Sequence, residues 1–230
     1  MSEKRIIIAI DGPAGAGKST IARRIAEKLG FIYVNTGAIY RAVTLWAMRL
    51  GIDSTDMHRL EQLAREAKIE LAARDGRIFL NDEDVTEAIR HPSVAEASSK
   101  VSMLPGVRRA LLALQRRVAE ENSVVMEGRD IGSVVFPNAQ VKIFLDADSK
   151  ERARRRALEL EEEGQDTDFQ TVSGELKQRD ERDRLRPESP LVQAPDAELV
   201  DTTGLSLDQV EEAVLRVIRA RISDGEGARV

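Results

Sequence analysis

Ile6-Ile7-Ile8-Ala9-Ile10-Asp11-Gly12-Pro13-Ala14-Gly15-Ala16-Gly17-Lys18-Ser19-Thr20 is the stretch that decides the fold. A β-branched run over residues 5–10 reads as a buried parallel strand and ends in a glycine-rich turn. A helical pattern over 18–29 follows at once, with Ile21, Ile25 and Leu29 on one face and Gly30 as its stop. The spacing Gly12-x4-Gly17-Lys18-Ser19 satisfies the phosphate-loop pattern G-x-x-x-x-G-K-[ST]. Each part has a physical task. Glycines let the backbone take positive φ and bring its N–H groups around an anion. The helix that starts there adds the positive end of its dipole. Lys18 supplies a mobile charge for the β- and γ-phosphates, and the Ser19 hydroxyl is a hard oxygen ligand for Mg²⁺. A glycine-rich turn with no ligand is the bland alternative. The strand before it and the helix after it favour a nucleoside triphosphate on Gly12–Thr20.

Outward from this stretch, strands and helices alternate. Phe31–Val34 reads as a second strand, and Asn35-Thr36-Gly37 caps a helix that reaches about Leu50. A helix over 56–68 leads into a hairpin, with Ile69–Ala72 and Arg77–Leu80 flanking Arg74-Asp75-Gly76 and Asp82–Val85 adding a short third strand. Helices are expected at 93–102 and 106–121, and strands at Val124–Met126, Val141–Leu145 and Glu198–Val200. Charged helices over 149–163 and 169–184 and an amphipathic helix over 206–222 complete the pattern, ahead of a tail, 223–230, expected to be disordered. The alternation predicts an α/β fold with a parallel sheet covered on both faces. The hairpin-rich stretch predicts an inserted subdomain over 53–103, with the core formed by 1–52 and 104–222. Ligands of such sheets sit at the carboxyl ends of the strands, so Asp11, Asn35-Thr36, Glu127–Asp130 and Asp146 are expected to converge on one crevice.

Composition narrows the function classes. The 230 residues are 42% hydrophobic and 33% charged with net charge −5, so no basic excess is present to track a nucleic-acid backbone. There is no cysteine, which excludes thiolate nucleophiles, disulfides and Cys-ligated zinc and fits a cytoplasmic protein. His58 and His91 lie far apart and form no cluster. No apolar segment approaches a membrane span, and the N-terminal apolar run is too short for a signal-peptide core. A monomer is expected.

Four further clusters can carry chemistry. Thr36-Gly37-Ala38-Ile39-Tyr40-Arg41 puts a hydroxyl, a phenol and a guanidinium at a helix N-terminus, where Arg41 can fork onto a phosphate; the alternative is a plain N-cap beside an exposed arginine. Gly128-Arg129-Asp130 ends a strand. Its Arg129 can bind an anion, and Asp130 is an acceptor-only carboxylate suited to an exocyclic amine such as cytosine N4, unless the two form only a surface ion pair. In Glu151-Arg152-Ala153-Arg154-Arg155-Arg156, helical spacing puts Arg152, Arg155 and Arg156 on one face and turns Arg154 away. A solvated helix with Glu151–Arg155 and Arg155–Glu159 pairs competes with an anion-binding lid. In Arg179-Asp180-Glu181-Arg182-Asp183-Arg184-Leu185-Arg186, Arg179, Asp183 and Arg186 share a face that can hold sugar or phosphate oxygens, and a salt-bridged helix is again the alternative. A triphosphate site with many arginines and no candidate nucleophile fits phosphoryl transfer, where positioning and charge neutralisation carry the catalysis. A phosphate acceptor is already nucleophilic and needs no strong base.

The phosphate-loop stretch Ile10–Thr20, Thr36–Arg41, Glu127-Gly128-Arg129-Asp130-Ile131-Gly132, Val134-Val135-Phe136-Pro137, Lys142-Ile143-Phe144-Leu145-Asp146-Ala147 and Arg179–Arg184 occur in an order that resembles the bacterial-type cytidylate kinases of the nucleoside monophosphate kinase group. The resemblance covers all but the last few residues. It implies a three-layer phosphate-loop fold with a five-stranded parallel sheet, an inserted monophosphate-binding subdomain and an arginine lid at about 150–170. It implies transfer of the γ-phosphate of ATP, with Mg²⁺, to CMP or dCMP. Residue by residue, it places Thr36, Tyr40, Arg41 and Arg129 on the CMP phosphate, Ser99, Arg108 and Asp130 on the cytosine, and Arg179 and Asp183 on the sugar. Lys18, Arg129, Arg186 and the lid arginines Arg152, Arg155 and Arg156 would serve the transferring phosphates. Asn35 and Glu127 stand where aspartate is common in this family, and Ser133 where threonine is. The competing readings are another small-acceptor kinase and a GTP-dependent switch. The inserted hairpin and Gly128-Arg129-Asp130 speak against the first, and the lack of an Asn-Lys-x-Asp motif speaks against the second.

Overall fold

β1, Ile7–Asp11, lies at the centre of a five-stranded parallel sheet. A computed structural model describes residues 5–72, 76–162, 164–165 and 167–226. With β2 (Ile32–Asn35), β6 (Val124–Gly128), β7 (Val141–Asp146) and β8 (Glu198–Asp201), the strand order is β2-β6-β1-β7-β8. The alternation of β1 explains why both faces are covered. Ile8 and Ile10 pack into one cluster with Ile21 and Ile25 of α1 (Lys18–Leu29) and Val214 and Ile218 of α8 (Leu207–Glu226). Ala9 points the other way, into a cluster with Val34, Met126 and Ile131. A strand buried on both sides must be apolar at every position, which is why β1 reads as a continuous run.

The remaining elements extend the sheet's neighbour on one side. α2 (Thr36–Arg49), α3 (Met57–Glu66), α4 (Pro92–Val101) and α5 (Pro105–Arg117) share a hydrophobic cluster with Ile69, Ile78 and Leu80 of a small antiparallel sheet. That sheet is β3 (Ile69–Leu71), β4 (Ile78–Leu80) and β5 (Glu83–Asp84), in that order. It corresponds to the expected hairpin, although Arg74 and Asp75 of its turn lie outside the described residues. α6 (Ser149–Glu162) and α7 (Phe169–Leu185) pack together through Ala153, Leu160, Val172 and Leu176. α8 runs to Glu226, past the expected end at 222, and residues 227–230 of the tail expected to be disordered lie outside the described residues. Among the described residues, no helix is long and apolar enough to cross a membrane.

A turn with π-helical hydrogen bonding at Ile131–Val135, absent from the sequence reading, follows β6. Asp11 accounts for it. Its two carboxylate oxygens accept from the Ile131 and Gly132 amides at 2.8 and 2.7 Å, so the end of β1 holds the start of that turn. Burial drives the Asp11 carboxyl up to about 6 against the opposing pull of those two amides.

Candidate active site

The loop between β1 and α1 needs its glycines at two places. Gly12 has φ +147, and a Cβ there would lie 1.9 Å from the Leu145 main-chain oxygen on β7. Gly15 has φ +75, and a Cβ would lie 2.8 Å from the Arg152 oxygen. α1 is entered through Gly17 in the left-handed region with no side chain capping it, so its first amides remain free for an anion. Lys18 is buried, and its Nζ donates to the Pro13 oxygen at 2.6 Å. Burial, then the charge of Arg129, lowers its pKa to about 7, with Glu127 opposing. Ser19 follows at the exposed start of the helix. Among the described residues no group of three or more His, Cys, Asp or Glu side chains is placed to hold a metal ion. The Ser19 hydroxyl is a hard oxygen donor of the kind that suits Mg²⁺.

Beside this loop is a cavity lined from α2 by Thr36, Gly37, Tyr40 and Arg41, from α4 and its C-terminus by Ser98, Ser99 and Ser102, and from α5 by Arg108. Gly128, Arg129 and Asp130 line it at the end of β6, and Arg179, Asp183 and Arg186 come from α7 and its cap. Thr36 donates to the Glu127 oxygen at 2.8 Å, which ties the start of α2 to the end of β6, and Asn35 caps α2 by accepting from the Ala38 amide at 3.1 Å.

One end of the cavity is cationic and short of anions. Among the described residues, neither Arg41 nor Arg179 makes a hydrogen bond or ion pair. Burial and then Arg129 lower Arg179 to about 10. Burial also lowers Arg41, with Glu127 opposing and Arg129 and Arg156 adding repulsion. Arg129 donates from Nε to Asp183 at 2.8 Å. Burial would raise Asp183, but Arg129, Arg179 and Arg186 around it outweigh burial and hold it below the usual carboxylate range.

The other end is a polar network. Asp130 accepts from Arg108 at 2.5 Å on one oxygen and from Arg186 at 3.3 Å on the other. Arg108 also donates to the Ser102 oxygen at 3.1 Å and lies over the Tyr40 ring, 5.3 Å from its centroid. Gln115 donates to the Tyr40 hydroxyl at 3.5 Å. Four buried side-chain polar atoms lack a partner among the described residues: Arg41 Nε, Ser99 Oγ, Arg108 Nε and Ser133 Oγ. The first three belong to residues of this one cavity. An orphaned buried donor costs about 1–3 kcal/mol, so their concentration here points to a ligand that pairs them.

The arginines expected on the phosphates are distributed unevenly. Arg156 faces the cationic end while pairing with Glu159 at 3.0 Å. Arg155 donates to the Thr202 hydroxyl and carbonyl at 2.8 and 2.7 Å and to Glu151 at 3.0 Å. Arg154 is exposed and pairs with Glu151, as its position on the helix implied. The Glu151–Arg155 pair of the solvated-helix alternative is present, whereas Glu159 pairs with Arg156 rather than with Arg155. Arg152 is buried, with its guanidinium on the Ala14 oxygen, the Ala147 oxygen and Asp180. Arg186 lies on Asp130, 3.8 Å from Asp183 and bonded to the Ser189 oxygen at 2.5 Å, at the polar rather than the cationic end.

Sequence reading named Asp11 only as a strand end at the crevice, not as the acceptor of the Ile131 and Gly132 amides, and did not single out Gln115, Asp180 or the Tyr33–Glu127 hydrogen bond of 2.6 Å. A signal for Asp180 was present. Val172, Leu176 and Asp180 recur at four-residue spacing and are all buried, so Asp180 continues the apolar stripe of an otherwise charged helix. Gln115 likewise follows Leu111 at four-residue spacing on the buried face of α5.

Comparison with known proteins places the chain in a family. The family described as Cytidylate kinase matches residues 8–220. The cytidylate kinase of Solibacter usitatus (strain Ellin6076) is 57% identical over 225 residues, covering 97% of this chain and 96% of that one. The cytidylate kinase of Pelotomaculum thermopropionicum is 49% identical, covering 95% and 96%. Among solved structures, a gluconokinase from Sinorhizobium meliloti 1021 shares the fold with TM-score 0.51 at 17% identity, covering 98% of this chain and 100% of that one.

Proposed function

The chain belongs to the cytidylate kinase family, and on that premise we propose how its residues divide the work. The enzyme phosphorylates CMP at the expense of ATP. An oxygen of the CMP phosphate attacks the γ-phosphorus, the bond from that phosphorus to the β,γ-bridging oxygen breaks, and CDP and ADP leave. The acceptor oxygen is already anionic, so the protein's task is to bring two anions together and neutralise the charge between them.

In this reading the loop Gly12–Thr20 holds the ATP phosphates, with Lys18 released from the Pro13 oxygen to meet them. Mg²⁺ would sit on the phosphates with the Ser19 hydroxyl and water as further ligands, and when bound it shields the charge on the phosphates. Thr36, Tyr40, Arg41 and Arg129 take the CMP phosphate, while Arg179 and Asp183 take the sugar. Ser99, Arg108 and Asp130 read the cytosine, and Arg186 supports Asp130. Arg155 and Arg156 approach the phosphates from the lid, about 150–170, and residues 53–103 act as the CMP-side subdomain. dCMP serves as a second acceptor, and the enzyme works as a cytoplasmic monomer on free nucleotides. The observation that carries the assignment is the group of three unpaired buried polar atoms, on Arg41, Ser99 and Arg108, in the one cavity beside the loop. An ADP-release assay over CMP, dCMP, UMP, AMP, dTMP and shikimate tests it. Turnover with CMP and dCMP that depends on ATP and Mg²⁺ is expected. No turnover with CMP, alongside clear turnover with AMP, dTMP or shikimate, overturns it.

A further inference from the structure

A buried ion pair at the root of the lid has no place in the division of work above. Arg152 on α6 and Asp180 on α7 are 8% and 6% exposed, and Arg152 Nη1 lies 2.5 Å from Asp180 Oδ2. Both side chains also grip the middle of the phosphate loop. Asp180 Oδ1 accepts from the Ala14 amide at 3.2 Å, and Arg152 Nη1 donates to the Ala14 oxygen at 3.0 Å. The Ala14 side chain packs in the same direction, into the cluster of Ala153, Leu160, Val172 and Leu176 formed by α6 and α7. The next residue, Gly15, lies against the Arg152 backbone so closely that a Cβ would meet its oxygen at 2.8 Å. Every polar main-chain group of Ala14 is therefore taken by the lid helices, and Arg152 Nε is anchored in turn on the Ala147 oxygen at 3.1 Å.

A phosphate loop works only if its backbone amides converge on one point, and glycines make it too pliable to hold that shape unaided. We propose that Arg152 and Asp180 are positioning residues that fix the phosphate loop from the root of the lid, with Arg152 acting as a strut to Ala14 rather than as a ligand of the transferring phosphates. The planar fork of arginine suits three acceptors in different directions, which a lysine ammonium on a single stem cannot reach together. Asp180 neutralises that buried charge and supplies the acceptor for the Ala14 amide. A consequence follows for closure: α6 is tied to the loop at Arg152, so lid movement begins beyond this residue.

The proposal rests on the triphosphate site described above, so the test reads ATP binding directly. The dissociation constant for ATP, the KM for CMP and kcat are measured on the full chain for wild type, D180N, R152Q, R152K and R152Q/D180N. D180N and R152Q are each expected to weaken ATP binding at least tenfold and to leave the KM for CMP within twofold. The double variant should be no worse than the weaker single variant, because the two residues act through one loop. R152K should not rescue. ATP affinity unchanged in D180N, with a hundredfold loss of kcat in R152Q, would overturn the proposal and make Arg152 a direct phosphate ligand. Additive losses in the double variant would overturn it as well. If R152Q yields no folded protein, the isosteric D180N decides alone. A wild-type enzyme that fails to bind ATP refutes the triphosphate site instead.

Discussion

Asp130→Asn tests the polar end of the cavity on two independent scales. Asp130, Arg108 and Arg186 are 6%, 6% and 4% exposed, and the aspartate supplies the carboxylate that Arg108 and Arg186 meet at 2.5 and 3.3 Å. Removing one partner of a buried ion pair costs about 3–5 kcal/mol. The amide oxygen of asparagine still accepts from one arginine, which places this variant near the lower bound, about 3 kcal/mol. For a chain of this length, about 2–4 °C per kcal/mol translates that into a melting temperature lower by roughly 6–12 °C. The second scale is specificity. A carboxylate can only accept, which matches the cytosine N4 amine, whereas a carboxamide can also donate to uracil O4. Loss of a hydrogen bond to a charged group costs about 1.5–3 kcal/mol, or roughly 10- to 150-fold in kcat/KM for CMP. UMP turnover should hold or rise, and ATP affinity should change little because Asp130 belongs to the cavity proposed for CMP. Calorimetric melts and an ADP-release assay with CMP and UMP provide both readouts. A melting temperature within about 2 °C of wild type would refute the argument from buried charge. An unchanged CMP/UMP ratio would remove Asp130 from base reading.

Two further outcomes follow from the phosphate loop. With the Lys18 pKa at about 7 in the free enzyme, the side chain is mostly neutral at pH 8, and bound phosphates favour its charged form. ATP binding should therefore take up close to one proton at pH 8 and almost none at pH 6. Titration calorimetry in two buffers of contrasting ionisation enthalpy measures this, and K18R should abolish the uptake; equal heats in both buffers at pH 8 contradict it. Gly12→Ala would force a Cβ to within 1.9 Å of the Leu145 oxygen, which is main chain within β7 and cannot move aside cheaply. A loss of at least about 2 kcal/mol in stability is expected, seen as a melting temperature lower by roughly 4–8 °C, with ATP binding weakened at least tenfold. A variant that melts and binds like wild type would show that the loop can be rebuilt without that close approach.

Much of this molecule is written locally in the chain. The run from Ile6 to Thr20 specifies strand, turn and helix because its β-branched, glycine-rich and amphipathic segments each favour one backbone geometry. The alternation that follows it implies a parallel sheet, and the five-stranded sheet has the two covered faces that alternation demands; of the strand ends expected at one crevice, Thr36 and Gly128–Asp130 line the cavity, while Asp11, Asn35, Glu127 and Asp146 are not among its lining residues. Thr36, Tyr40, Arg41, Arg129, Asp130, Arg179, Asp183 and Arg186 were legible by chemical type and Ser99 and Arg108 only through the family resemblance, and all ten line one cavity. What local pattern left open is which charges face one another. Arg152, Arg155 and Arg156 share a helical face and look equivalent by spacing. Yet one is buried against Ala14 and Asp180, one is spent on Thr202, and one faces the cationic end. Arg186 and Asp130 lie 56 residues apart, and only the tertiary fold, which carries the C-terminal cap of α7 to the residue after β6, brings them within 3.3 Å. A charge's role depends on what neutralises it, and in this protein the neutralising partners come from distant segments. The chain by itself determined the donor loop and the kinds of groups available to an acceptor. The tertiary structure decided which of those groups are already paired and which, like Arg41 and Arg179, have no hydrogen bond or ion pair among the described residues.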